Sequence, residues 1–75
     1  MATFQEVVDL IADQLGADPS EVTPDARIAE DLGAESADVA NIVAAVEDRM
    51  GIVVPEDRIA EIATVNDLFL ALQKA

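Results

Sequence analysis

The sequence predicts an all-α fold: a small bundle of three main helices plus one short helix, with a long loop between helices one and two. Three observations predict it. Apolar residues recur at helical spacing in three separate stretches. Each stretch is bounded by capping residues or by glycine. The hydrophobic content of 52% is too high for a disordered chain, even one with a formal net charge of −12. The 75 residues form a single domain, residues 1–75. A chain of this size hides only about 60% of its unfolded surface, so its helices must pack efficiently.

The first helix runs from about Phe4 to Leu15. Thr3 and Glu6 make a capping box, Phe4, Val7, Val8, Ile11 and Leu15 form one apolar stripe, and Gly16 is the stop. The connection from Ala17 to Glu35 follows. Pro19 and Pro24 break helix there, and Asp18, Ser20, Thr23 and Asp25 supply turn chemistry. Val22, Ile28 and Leu32 are spaced too irregularly for a helix and read as pegs that hold the loop down. A connection this long in a compact domain is often functional.

The second helix begins at Ser36 or Ala37 and reaches about Met50, with Gly51 as its stop. Val39, Ile42, Val43, Val46 and Met50 make its buried face. Ile52-Val53-Val54 is a short extended segment, and Pro55 suits the first turn of a brief third helix. Arg58, Ile59 and Ile62 continue that helix for about two turns. Thr64 and Asp67 open the last helix, lined by Val65, Leu68, Phe69 and Leu72. The chain contains no internal repeat and no low-complexity segment.

Composition excludes several functions. Without histidine or cysteine, serine–histidine and cysteine–histidine catalysis are absent, as are disulfides and thiolate metal sites. A core this small rarely encloses a substrate pocket. Sixteen acidic residues against four basic ones repel nucleic acid and anionic membrane faces, and favour partners with basic patches. No apolar run approaches the twenty or so residues of a membrane span, and the N-terminal stretch lacks a basic region, so a cytoplasmic address is expected. No Asp-x-Asp-x-Asp-Gly calcium loop is present. Crowded acidic groups are expected to raise one another's pKa values, so that stability increases as pH falls. Added salt is expected to stabilise by screening.

The most informative stretch is Glu30-Asp31-Leu32-Gly33-Ala34-Glu35-Ser36-Ala37. Leu32 and Gly33 shape a turn that leaves the Ser36 hydroxyl at a helix N-terminus, where free backbone N–H groups and the helix dipole favour an anion such as phosphate. In isolation, a serine there is most often an N-cap alone. Other marks follow in order: Gln14-Leu15-Gly16, Val46-Glu47-Asp48, Ile52-Val53-Val54-Pro55-Glu56 and Thr64-Val65-Asn66-Asp67-Leu68.

In that order and spacing, across essentially the whole chain, the sequence resembles the acyl carrier proteins. The resemblance implies that Ser36 receives a covalent 4′-phosphopantetheine from coenzyme A, through a separate phosphopantetheinyl transferase that uses a divalent metal. The terminal thiol of that arm would hold acyl intermediates as thioesters and deliver them to enzymes of fatty-acid or lipid biosynthesis. Such a protein is a monomeric carrier and no enzyme, and it has no metal site of its own. Partner enzymes with basic patches would dock on Glu35, Ala37, Asp38, Ala40, Asn41, Ala44, Glu47 and Asp48.

Three residues depart from the family pattern. Glu35 replaces the usual Asp, Ala37 the usual Leu, and Asn41 a frequent Glu. The exposed stripe of helix two is consequently alanine-rich, which fits a specialised carrier with dedicated enzymes, although alanine is also the best helix former. Two alternatives stay open: a carrier for polyketide or aminoacyl intermediates, and an unmodified helical interaction module with a retired motif. A carboxylate enzyme built on Glu30, Asp31 and Glu35 is the weakest reading, because clustered acids are background in so acidic a chain.

Overall fold

The computed structural model describes residues 3–73; Met1 and Ala2, at the start of the stretch that lacks a basic region, lie outside them. Helix α1 spans Phe4–Leu15 and is closed at its start by the expected capping box. Thr3 Oγ1 accepts from the Glu6 N–H at 3.2 Å, and Glu6 Oε1 accepts from the Thr3 N–H at 3.0 Å. Helix α2 spans Ser36–Met50 and ends where Gly51 turns left-handed, as its stop signal requires. Helix α3 is Glu56–Ile59, and helix α4 is Val65–Gln73. At the start of α4, Asp67 Oδ2 accepts from the Ala63 and Thr64 N–H groups, both at 3.0 Å, while Thr64 Oγ1 accepts from the Asp67 N–H at 3.1 Å.

One element is shorter than its sequence suggests. Helix α3 has four residues; Pro55 precedes it in extended conformation, and Ile62 lies beyond the turn at Ala60 and Glu61 that follows it. Helix α3 buries no side chain fully. So short a helix gains too little from its own hydrogen bonds to extend without packing. The Asp67 cap also draws the Ala63 and Thr64 N–H groups into the start of α4.

The core is made by α1, α2 and α4. Its most completely buried large side chains are Val7 and Ile11 from α1, Ile42 and Val46 from α2, and Val65 and Leu68 from α4. Burying each contributes about 1.5–3 kcal/mol. α1 packs on both α2 and α4. The Phe4 and Phe69 rings meet edge to face, with centroids 5.4 Å apart, a geometry favoured by aromatic quadrupoles.

The long connection is folded against this core. Pro19–Glu21 forms a single 3-10 turn, opened by Asp18, whose Oδ1 accepts from the Ser20 N–H at 2.9 Å and its hydroxyl at 2.8 Å. Val22 and Ile28 are buried, Leu32 is partly buried, and Ala26 and Ala34 are buried beside them. Backbone bonds strap the loop to the entry of α4. Ile28 N–H donates to Ala63 O at 2.9 Å, Val65 N–H to Ala26 O at 3.0 Å, and Asn66 N–H to Pro24 O at 3.0 Å. Arg27 and Thr64 pair there as an isolated antiparallel bridge.

Candidate functional site

The turn that leads into α2 is built around Arg27. Its N–H donates to Asp31 Oδ2 at 2.8 Å, and its carbonyl accepts from the Asp31 and Leu32 N–H groups at 2.8 and 3.1 Å. Its guanidinium pairs with Glu30 at 2.9 Å, both side chains being mostly exposed. Glu30 and Asp31 therefore shape the loop. Gly33 then adopts φ 71°, a left-handed conformation costly to any residue with a Cβ. Ala34 follows, buried, with its N–H on Ile28 O at 3.1 Å.

Glu35 is extended and is the cap residue of α2, so Ser36 is the first residue inside the helix. Of the two expected starts, Ser36 and Ala37, the helix takes the first, and the serine is not its N-cap. The start is secured instead by Asp38, whose Oδ2 accepts from the Glu35 N–H at 2.9 Å. The Ser36 side chain is exposed and makes no hydrogen bond among the described residues. Its hydroxyl stands at the positive end of a 15-residue helix.

Beside Ser36 lies an open groove of about 440 Å³ between α2 and α3. Ser36, Val39, Ala40, Val43, Ala44 and Glu47 line it from α2, and Ile59 lines it from α3. These α2 positions fall on one helical face and span roughly 16 Å at 1.5 Å per residue. Val39, Val43 and Ile59 give the groove an apolar lining, the alanines keep it wide, and Glu47 places a carboxylate away from Ser36.

The expected docking residues thus divide. Ala40, Ala44 and Glu47 line the groove with Ser36; Ala37, Asn41 and Asp48 are exposed outside it. Glu35 is exposed, whereas Asp38 is half-buried and engaged with the backbone. Sequence reasoning placed Val39 and Val43 only in the core. Their spacing of three and seven residues from Ser36 already puts them on its face. Ile59 reaches the groove from a separate element, and helical periodicity carries no signal for that.

At three carboxylates the shift runs opposite to the expected rise. Glu6, Asp18 and Asp67 are all held below their ordinary values. The first cause in each is a backbone N–H donated to the carboxylate: from Thr3 to Glu6, from Ser20 to Asp18, and from Thr64 to Asp67. Hydrogen bonds to the charged form outweigh diffuse repulsion in an exposed, well-solvated shell.

Among the described residues, no three carboxylates converge where they could hold a metal ion, and no helix is long and apolar enough to cross a membrane. What the site offers chemically is an unbonded hydroxyl on a fixed turn beside an apolar groove, with no acid–base partner beyond carboxylates.

A family model described as a phosphopantetheine attachment site matches residues 5–72. The acyl carrier protein of Sulfurovum sp. (strain NBC37-1) is 43% identical over 67 residues, covering 89% of this chain and 89% of that one. The acyl carrier protein of Helicobacter pylori (strain G27) is 38% identical over 68 residues, covering 91% of this chain and 87% of that one.

Proposed function

The chain belongs to the acyl carrier proteins, and we propose that Ser36 is the residue to which its 4′-phosphopantetheine is attached. The single observation that carries this reading is the placement of Ser36: an exposed, unbonded hydroxyl at the first helical position, on the edge of an apolar groove. A hydroxyl tied up as a cap would first have to be released; this one is free. A phosphodiester there would meet the positive end of the α2 dipole. The groove has room beside the anchor and no buried polar group to desolvate.

In this reading residues 1–75 form one carrier domain. Its cofactor supplies a terminal thiol, a group this cysteine-free chain lacks, which holds acyl cargo as a thioester. The chain's own residues present the serine and offer a surface. A phosphopantetheinyl transferase first reads the Glu35–Ser36 turn. Acyl-handling enzymes of fatty-acid or lipid synthesis then dock basic patches against the acidic and alanine face of α2 in the cytoplasm, and the carrier works as a monomer. With a net charge of −12, encounter with basic surfaces is accelerated and self-association is opposed.

Intact mass after incubation with coenzyme A, magnesium and a broad-specificity phosphopantetheinyl transferase tests the assignment. The expected result is gain of one phosphopantetheine group on the wild type and none on Ser36→Ala. A gain on both proteins would move the site elsewhere. A wild type that stays unmodified both in vitro and when purified from its own cells would favour the retired interaction module.

A second observation favours dedicated partner enzymes: Ala37, Ala40, Asn41 and Ala44 leave the exposed face of α2 low and uncharged next to the serine. Slower turnover by a housekeeping fatty-acid ketosynthase than a standard carrier supports is expected. Equal turnover would overturn this part.

A further inference from the structure

We propose that Asp38 is a positioning residue for the modification of Ser36, acting through the backbone of Glu35; this rests on the reading of Ser36 as the modified residue. The bond from Glu35 N–H to Asp38 Oδ2, at 2.9 Å, spans the serine. Glu35 is also held from its other side, because its carbonyl accepts from the Val39 N–H at 3.0 Å. Upstream, buried Ala34 is fixed by its N–H to Ile28 O. Ser36 contributes no side-chain bond of its own to this arrangement. The direction in which its hydroxyl leaves the helix is therefore set by the peptide before it, and Asp38 is the side chain that grips that peptide.

Burial agrees with the assignment. Glu35, Ser36 and Ala37 are exposed, while Asp38 is half-buried with its carboxylate turned to the backbone. A carboxylate used as a free docking charge gains from reaching outward. This one closes the helix start as a charge-assisted acceptor. A small displacement of the hydroxyl is costly to the transfer, because its oxygen must form a bond to the pantetheine-side phosphorus of coenzyme A in line with the pyrophosphate bond that breaks, adenosine 3′,5′-bisphosphate leaving and the hydroxyl proton passing to a base of the transferase.

Substitution by asparagine separates positioning from docking, since its amide oxygen can accept the same N–H without the charge. Steady-state modification by the transferase should show Asp38→Ala losing about tenfold in kcat with KM little changed, and Asp38→Asn staying within about twofold of wild type. Exchange of the Glu35 amide hydrogen should accelerate in Asp38→Ala and remain slow in Asp38→Asn. Thr3→Ala, which removes the α1 cap, controls for general destabilisation and should leave both readouts unchanged. If both Asp38 variants raise KM alike, with Glu35 exchange unaltered, Asp38 is a docking charge and the proposal is overturned. An unchanged Glu35 exchange rate in Asp38→Ala overturns it even without any kinetics. A wild type that the transferase does not modify at all overturns the Ser36 reading, and Asp38's role with it, a result distinct from either of these.

Discussion

Two connections flank α2, and they are held by different means. The one before it, residues 17–35, has almost no regular structure, yet Val22, Ala26, Ile28 and Ala34 are buried and its backbone is bonded to residues 63–66. The one after it, residues 51–64, contains the helical turn α3. Its only fully buried residue is Val54, and Val53 is 71% exposed. Regular backbone is therefore no measure of how firmly a segment is held. Buried side chains and bonds to distant residues decide that, since local opening is resisted mainly by the apolar surface it would expose. The site uses both: the serine follows directly on the strongly anchored connection, and the groove takes its Ile59 wall from the weakly anchored one.

The largest expected effect tests that contrast directly. Ile28→Ala should cost about 2–5 kcal/mol, the usual loss for a buried isoleucine. Ile59→Ala should cost less, about 1–2 kcal/mol, because its side chain is only partly buried and lines an open groove. Denaturant midpoints measure both, and equal losses would break the comparison.

Gly33→Ala comes next, at about 1–2 kcal/mol. A Cβ at Gly33 would meet nothing within 4 Å, so the loss would come from the left-handed backbone alone. If thermal melts show Gly33→Ala to be neutral, the turn before Ser36 tolerates another conformation and is less fixed than its hydrogen bonds indicate.

The smallest effect concerns the cap that opens α4, next to the strap from the first connection, and it is read by pH. The folded protein holds the Asp67 carboxyl below its ordinary value because Thr64 and Ala63 donate backbone N–H groups to it. The unfolded chain binds that proton more readily. The stabilisation is therefore fully present above the ordinary carboxylate pKa of about 4 and is lost as pH falls through the lowered folded value. Glu6 and Asp18 act in the same direction. The melting temperature should fall on acidification from pH 7 to pH 3, and Asp67→Asn should lose less over that range than the wild type. Identical losses would remove Asp67 from the account.

The sequence by itself determined what depends on neighbours along the chain. The start of α1 follows from Thr3 and Glu6, that of α4 from Thr64 and Asp67, and the ends of α1 and α2 from Gly16 and Gly51, because a cap is satisfied within a few residues. The apolar stripes named most of the core, and the ordered motifs marked Ser36. Tertiary structure decided what depends on residues far apart. It shortened α3, none of whose residues is fully buried, and bonded the connection before Ser36 to residues 63–66. It brought Ile59 beside Val39 and Val43 to make a groove, and it joined the Asp38 carboxylate to the backbone N–H of Glu35. A helical period reports which residues share a face. What covers that face, and which backbone groups find partners across the fold, is set only when the elements pack.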